Sequence, residues 1–179
     1  VGQIPIYYCH KPSGGHSHPH GSYVDEKAEP LFPFGHGLSY TEFQYYDLKI
    51  EPRELPPDGH LHITFVLKNV GQRAGEEVVQ LYIREERRSV TRPVKELKGF
   101  ARVHLRPGES TRIHFLLPAD IFAYHDQEMN LVLEPGPVTL MIGASSADVR
   151  LSGTVVVQGW RKINEEERKY FGEVIVGAE

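Results

Sequence analysis

The clearest signal in this chain is a two-residue alternation of apolar and polar positions, repeated from about residue 41 to residue 158. Phe43 to Ile50 mixes aromatic and aliphatic residues and ends at Pro52. From Leu61 to Lys68, Ile63, Phe65 and Leu67 alternate with His62, Thr64 and Val66, the mark of a half-buried strand. Asn69-Val70-Gly71 has the chemistry of a turn. Val79, Leu81 and Ile83 alternate within Glu76 to Arg84. Val94 to Leu105 reads as two shorter extended pieces broken at Gly99. After Pro107-Gly108, Ile113, Phe115 and Leu117 alternate again. Val138, Leu140 and Ile142 follow Pro135-Gly136-Pro137, and Val149, Leu151, Val155 and Val157 form the last segment.

That makes about seven short strands with turn signals at roughly the 8–12-residue spacing of a two-sheet sandwich. A parallel α/β sheet needs crossover helices, and residues 41–158 leave no room for them. The expected class is all-β, an immunoglobulin-like sandwich. The Cys-Trp-Cys marker of antibody domains is missing, so a fibronectin type III-like sandwich is the better description.

The flanks differ. Ile4-Pro5-Ile6-Tyr7-Tyr8 suits one buried strand, with Pro5 marking its edge or start. Residues 11–21, rich in Gly, Pro, Ser and His, read as a long loop. Leu31 to Tyr40 is an irregular connector rich in aromatics and glycine. In the tail, Asn164 with Glu at 165–167 resembles a helix start, so one or two helical turns and then an extended Glu173–Val176 are expected.

Composition narrows the function. The 179 residues carry a formal charge of −4, with 20 Lys and Arg against 24 Asp and Glu. No basic face marks a nucleic-acid binder. No apolar run is long enough to span a membrane as a helix. Cys9 has no second cysteine to pair with. The chain starts at Val1, and its only methionines are Met129 and Met141, so the sequence reads as processed or cut from something longer. The N-x-[ST] pattern is absent, which tilts the reading toward an intracellular or bacterial protein; the compartment is otherwise open, with the cytoplasm favoured.

The candidate chemistry is sparse. His16, His18 and His20 alternate, as in some zinc sites, but with no acidic or Cys partner beside them they read as a solvated loop. Glu76 and Glu77, Glu85 and Glu86, and Glu165 to Glu167 read as solvated charges rather than a glycosidase pair. Asp25 and Glu26 are the only acids near the unusual loops. Cys9 beside His10 reads as an inert, partly buried thiol, because strand neighbours face opposite ways. Arg84, Arg87, Arg88 and Arg92 around Glu85 and Glu86 read as a solvated ion-paired loop. No metal site and no cofactor is expected.

Several stretches, taken in order, carry a resemblance. They are Pro33-Phe34-Gly35-His36-Gly37-Leu38-Ser39-Tyr40-Thr41 followed by Phe43; Asn69-Val70-Gly71 with Ala74 to Tyr82; Pro93 to Phe100; and Leu105 to Ser110. Together they resemble the C-terminal part of glycoside hydrolase family 3, the β-glucosidase and β-xylosidase family, over nearly the whole of residues 1–158. The resemblance implies a remnant of a preceding α/β sandwich domain plus connector at 1–40, the fibronectin type III-like domain at 41–158, and a tail at 159–179. The family's nucleophilic Asp and acid/base Glu lie upstream and have no matching position here. The isolated chain is therefore expected to be inactive, a structural domain of an enzyme that hydrolyses terminal β-linked glucose or xylose. Its implied partners are the upstream catalytic domains and an oligosaccharide. Cys9 stands where the family often has Asn, and the histidine-rich loop replaces one that is often basic and aromatic. His10, Lys11 and His36 are implied to lie near substrate in the parent enzyme. A free-standing carbohydrate-binding or protein-interaction module is the alternative, with Tyr45, Tyr46 and Tyr82 as candidate sugar platforms.

Overall fold

The computed structural model describes residues 7–12, 29–86 and 88–177. Its centre is a sandwich of two antiparallel-dominated sheets. The first sheet has the order β1 (Phe43–Glu51), β3 (His60–Asn69), β6 (Ser110–Pro118) and β12 (Glu173–Val176). The second runs β2 (Glu54–Leu55), β10 (Val149–Val157), β9 (Gly136–Gly143), β4 (Gly75–Glu85) and β5 (Glu96–Leu105). A third, small sheet joins β11 (Arg161–Lys162), β8 (Leu131–Leu133) and β7 (Tyr124–His125).

The alternation explains the architecture directly. In β3 every second residue, from Leu61 through Ile63, Phe65 and Leu67 to Asn69, is buried. Ile113, Phe115 and Leu117 of β6 do the same from the neighbouring strand. Val79, Leu81 and Ile83 of β4 and Val138, Leu140 and Ile142 of β9 meet them from the second sheet. Phe65 and Phe115 stack with centroids 6.2 Å apart at the centre. Each such fully buried side chain contributes about 1.5–3 kcal/mol, which makes this layer the main source of stability.

Buried Asn69 closes one end of the sandwich. Its Nδ2 donates to the carbonyls of Arg73 and Leu105, at 2.7 and 3.0 Å, and its Oδ1 accepts from the Thr41 hydroxyl and the Gly71 N–H. All four polar capacities of one side chain thus hold three loops together.

Three expectations change, and the reading of the tail holds. Val94 to Leu105 is not broken at Gly99; β5 is continuous, and a register shift opposite Leu81 and Tyr82 absorbs one extra residue as a bulge. The tail holds a single 3₁₀ turn, Glu165–Glu167, whose Glu166 N–H donates to Asn164 Oδ1. The extended segment after it is β12, paired with β6. Tyr7 and Tyr8 sit in a turn closed by the His10 N–H on the Tyr7 carbonyl, not in a strand. Cys9, in that same turn, is exposed rather than partly buried. The rest of the expected first strand, the His16–His20 run, Asp25, Glu26 and Arg87 lie outside the described residues. No helix is long and apolar enough to cross a membrane among the described residues.

Candidate functional site

The feature that departs most from an ordinary sandwich is the outer face of β4. Residues pointing away from the core should be wet, yet Gln80 is 4% and Tyr82 0% exposed. The connector covers them. Tyr8 stacks on Phe34 with centroids 4.1 Å apart and meets the Tyr82 ring edge-on at 5.9 Å. Gln80 Nε2 donates to the carbonyls of Gly35 (3.1 Å) and Ala144 (2.7 Å). The Leu97 N–H donates to the Tyr8 hydroxyl at 3.3 Å, and the Val94 N–H to the His10 carbonyl at 2.9 Å. The Ser146 N–H donates to the Phe34 carbonyl, and Lys95 Nζ to the Ser146 carbonyl. The fit requires glycine at position 35, where φ is +79° and a Cβ would collide with the Gln80 amide.

Beside the docked connector lies a groove of about 880 Å³. Phe34, Leu38, Val70, Val78 and Phe100 line its apolar part; Glu76, Glu77, Arg102, Asp148 and Arg150 line its polar part. Glu76 pairs with Arg102, and Asp148 holds Arg150 through two hydrogen bonds, which keeps the Asp148 carboxyl below the usual range. Glu77 is half-buried, and burial pushes its carboxyl up, against the reading of a solvated charge. Leu38 and Tyr40 project from the connector more than nine-tenths exposed, and Leu31 and Phe32 are also bare.

Of the three implied substrate-proximal residues, His36 sits on this connector, and His10 and Lys11 on the segment 7–12 packed beside it. His36 lines the groove and lies 5.2 Å, ring to ring, from Phe32. His10 and Lys11 do not line it; His10 Nδ1 bonds the Lys11 carbonyl at 2.7 Å. The stacking of Tyr8 on Phe34 is what brings the two segments side by side.

Other candidates fare differently. Glu85 is not a solvated charge: its side chain is 2% exposed and lies 3.2 Å from Arg88 Nε and 2.9 Å from Arg92 Nε. Arg92 also reaches Glu96 and covers the face of Tyr124 at 4.4 Å. The cluster seals the sandwich end where β4 meets the small sheet, because its opposite charges neutralise one another out of water. Arg84 and Glu86 form the exposed pair that the sequence suggested for the whole loop. Tyr45, Tyr46 and Tyr82 make no planar row: Tyr45 is buried in the first sheet, Tyr82 lies under the connector, and only Tyr46 is accessible. No group of three His, Cys, Asp or Glu stands ready to hold a metal among the described residues.

The sequence signal for the covered face was present in β4 itself. Val79 to Ile83 holds no charged residue on either face, which is the pattern of a strand buried on both sides.

Comparisons with known proteins agree with this architecture. Residues 77–146 match the model of the fibronectin type III-like domain. The chain is 43% identical over 145 residues to thermostable beta-glucosidase B of Acetivibrio thermocellus, covering 80% of this chain and 19% of that protein. It is 40% identical over 150 residues to a putative beta-xylosidase of Formosa agariphila, covering 84% and 19%. Among solved structures, beta-glucosidase from Listeria innocua in complex with glucose superposes with a TM-score of 0.80 at 38% identity, over 88% of this chain and 23% of that one. The chain thus spans about a fifth of the length of these relatives.

Proposed function

The chain carries a fibronectin type III-like domain of the kind found in glycoside hydrolase family 3 β-glucosidases and β-xylosidases, and from that premise we propose that its role is structural, as the non-catalytic C-terminal domain of such an enzyme. The parent hydrolyses terminal β-linked glucose or xylose on upstream domains. Residues 41–158 form the body of the sandwich, 1–40 belong to the preceding domain and its connector, and 159–179 are the tail, whose β12 completes the first sheet. One observation carries the reading: the connector is bonded to the outer face of β4 through Gln80 and Tyr82 and leaves Leu31, Phe32, Leu38 and Tyr40 bare. Four large apolar side chains left bare along one connector suit a docking face. Its occupant is the preceding domain of the same polypeptide, because the connector leads the chain into it. The sandwich then fixes where the connector enters the catalytic body, and His10, Lys11 and His36 stand at the rim of the pocket.

The isolated chain supplied with a nitrophenyl β-glucoside and β-xyloside should show no turnover; robust hydrolysis would overturn the proposal. In the full-length enzyme, replacing His10, Lys11 and His36 by Ala should raise KM. Unchanged KM and kcat would remove these three from the substrate's surroundings.

A further inference from the structure

The outer face of the first sheet holds an arrangement that the docking role does not use. His62 on β3 and His114 on β6 stack with ring centroids 5.1 Å apart and planes 19° from parallel. His62 Nδ1 and His114 Nε2 are 3.0 Å apart, so one ring donates a single shared proton to the other. His62 is exposed and His114 half-buried, so the pair is open to solvent on one side. The strands beneath are the two inner members of a four-stranded sheet, and they hold unbroken register from His60 opposite Pro118 to Lys68 opposite Ser110. The two rings are therefore set on a rigid base rather than on a loop.

We propose that His62 and His114 form a two-imidazole chelate for a divalent transition-metal ion of the copper(II) or nickel(II) type. The spacing selects the class. A metal about 2.05 Å from each of two nitrogens 3.0 Å apart subtends about 94° between them. That is the cis angle of square-planar or tetragonal coordination. Copper(II) also stands above zinc(II) in the general affinity order of nitrogen sites. On binding, the ring that donates carries its proton on its far nitrogen instead, so that both facing nitrogens offer a lone pair; each ring turns to aim its lone pair at the ion, and water completes the coordination.

The surroundings carry charges of both signs. Across β1, Glu51 stands opposite His62 in register, and Glu173 of β12 stands opposite Leu116, the residue that faces His62 from β6. Lys49, opposite Thr64, faces the pair from β1, and Arg112, paired with Asp47, lies two residues from His114 on the same face of β6, while β12 sets the apolar Ile175 opposite His114. His60 stands two residues before His62 on the same face of β3.

The test must separate this pair from His16, His18 and His20, so it uses the full chain with those three replaced by Ser. Copper(II) is titrated and followed by electron paramagnetic resonance and by broadening of amide NMR signals. The expected result is one copper(II) bound with two nitrogen couplings, broadening centred on His62, Thr64 and His114, and a raised melting temperature. Substituting His62→Gln or His114→Gln should each abolish that binding event while leaving the fold intact by circular dichroism. Zinc(II) should compete only in excess, and binding should weaken in acid as protons occupy the nitrogens. Copper(II) binding that survives either substitution, or broadening that never reaches residues 62–64 and 114, would overturn the proposal and leave a proton-sharing pair.

Discussion

The Tyr82 hydroxyl donates to Gln80 Oε1 at 2.5 Å, two residues along the same strand and on the same outer face. That bond fixes which end of the Gln80 amide is which. With Oε1 committed to Tyr82, Nε2 is left to donate to Gly35 and Ala144, one on the connector and one after β9. Tyr82→Phe should therefore loosen the connector and cost about 1 kcal/mol. Gln80→Leu should cost more, about 1–3 kcal/mol, because two carbonyls lose their donor. Urea denaturation of the isolated chain measures both, and hydrogen exchange at the Ser146 amide reports whether the connector has lifted. Equal stability in all three proteins would mean the docking is incidental.

Glu85 makes a sharper case. Arg88 and Arg92 both depend on it, and the Arg88 side chain is fully buried. Glu85→Ala leaves the buried Arg88 without its carboxylate, while Arg92 keeps Glu96, and should destabilise by about 3–5 kcal/mol. Glu86→Ala, one residue on, removes only an exposed partner of Arg84 and should change stability by less than about 1 kcal/mol. The contrast between neighbours is the measurement; similar effects would show that the cluster is not buried in solution.

These residues also show where the sequence was legible. Alternation in β3, β6 and β9 revealed the sandwich because each of those strands has one dry face and one wet face. It failed for Glu85, because a glutamate among arginines reads the same whether the ion pairs are wet or dry. It failed again for β7, β8 and β11, since strands of two or three residues show no period. The connector's docking was half-legible: the uncharged run in β4 announced a covered outer face but not what covers it.

Gly99 illustrates a similar ambiguity. Glycine inside an apparent strand suggested a break, whereas β5 runs through it. A Cβ there would stand 2.9 Å from two ring carbons of Phe115, so glycine is kept for close approach rather than for a turn. Gly99→Ala should cost about 1–3 kcal/mol by pushing a central core ring. Pairing it with Phe115→Leu, which vacates that space, should recover part of the loss; strictly additive effects would refute the steric account.

Glu77 yields a prediction in pH. Burial raises its carboxyl pKa above the ordinary value in the folded state, outweighing the attraction of Arg150. The folded protein therefore binds a proton more tightly than the unfolded chain does. Stability from this group is present at low pH and lost as pH rises through the folded pKa. Glu77→Gln should raise the melting temperature at pH 7 and have a smaller effect at pH 4. A larger gain at pH 4 than at pH 7 would reverse the sign and refute the desolvation argument.

The tail closes the open side between the two sheets. β12 pairs with β6, while the Gly172 N–H donates to the Lys98 carbonyl of β5, so one segment bridges first and second sheet. Val174 packs against the core beside Gly99. Ending the chain at Arg168 strips β6 of a neighbour and leaves its backbone donors and acceptors free along a strand edge. Such edges pair with other chains. The shortened protein should unfold at lower urea concentration and form dimers or larger species on light scattering as concentration rises. Adding back a peptide of residues 169–177 should reverse the association. If the shortened chain stays monomeric and as stable as the parent, β12 is an ornament of the sheet rather than its closure.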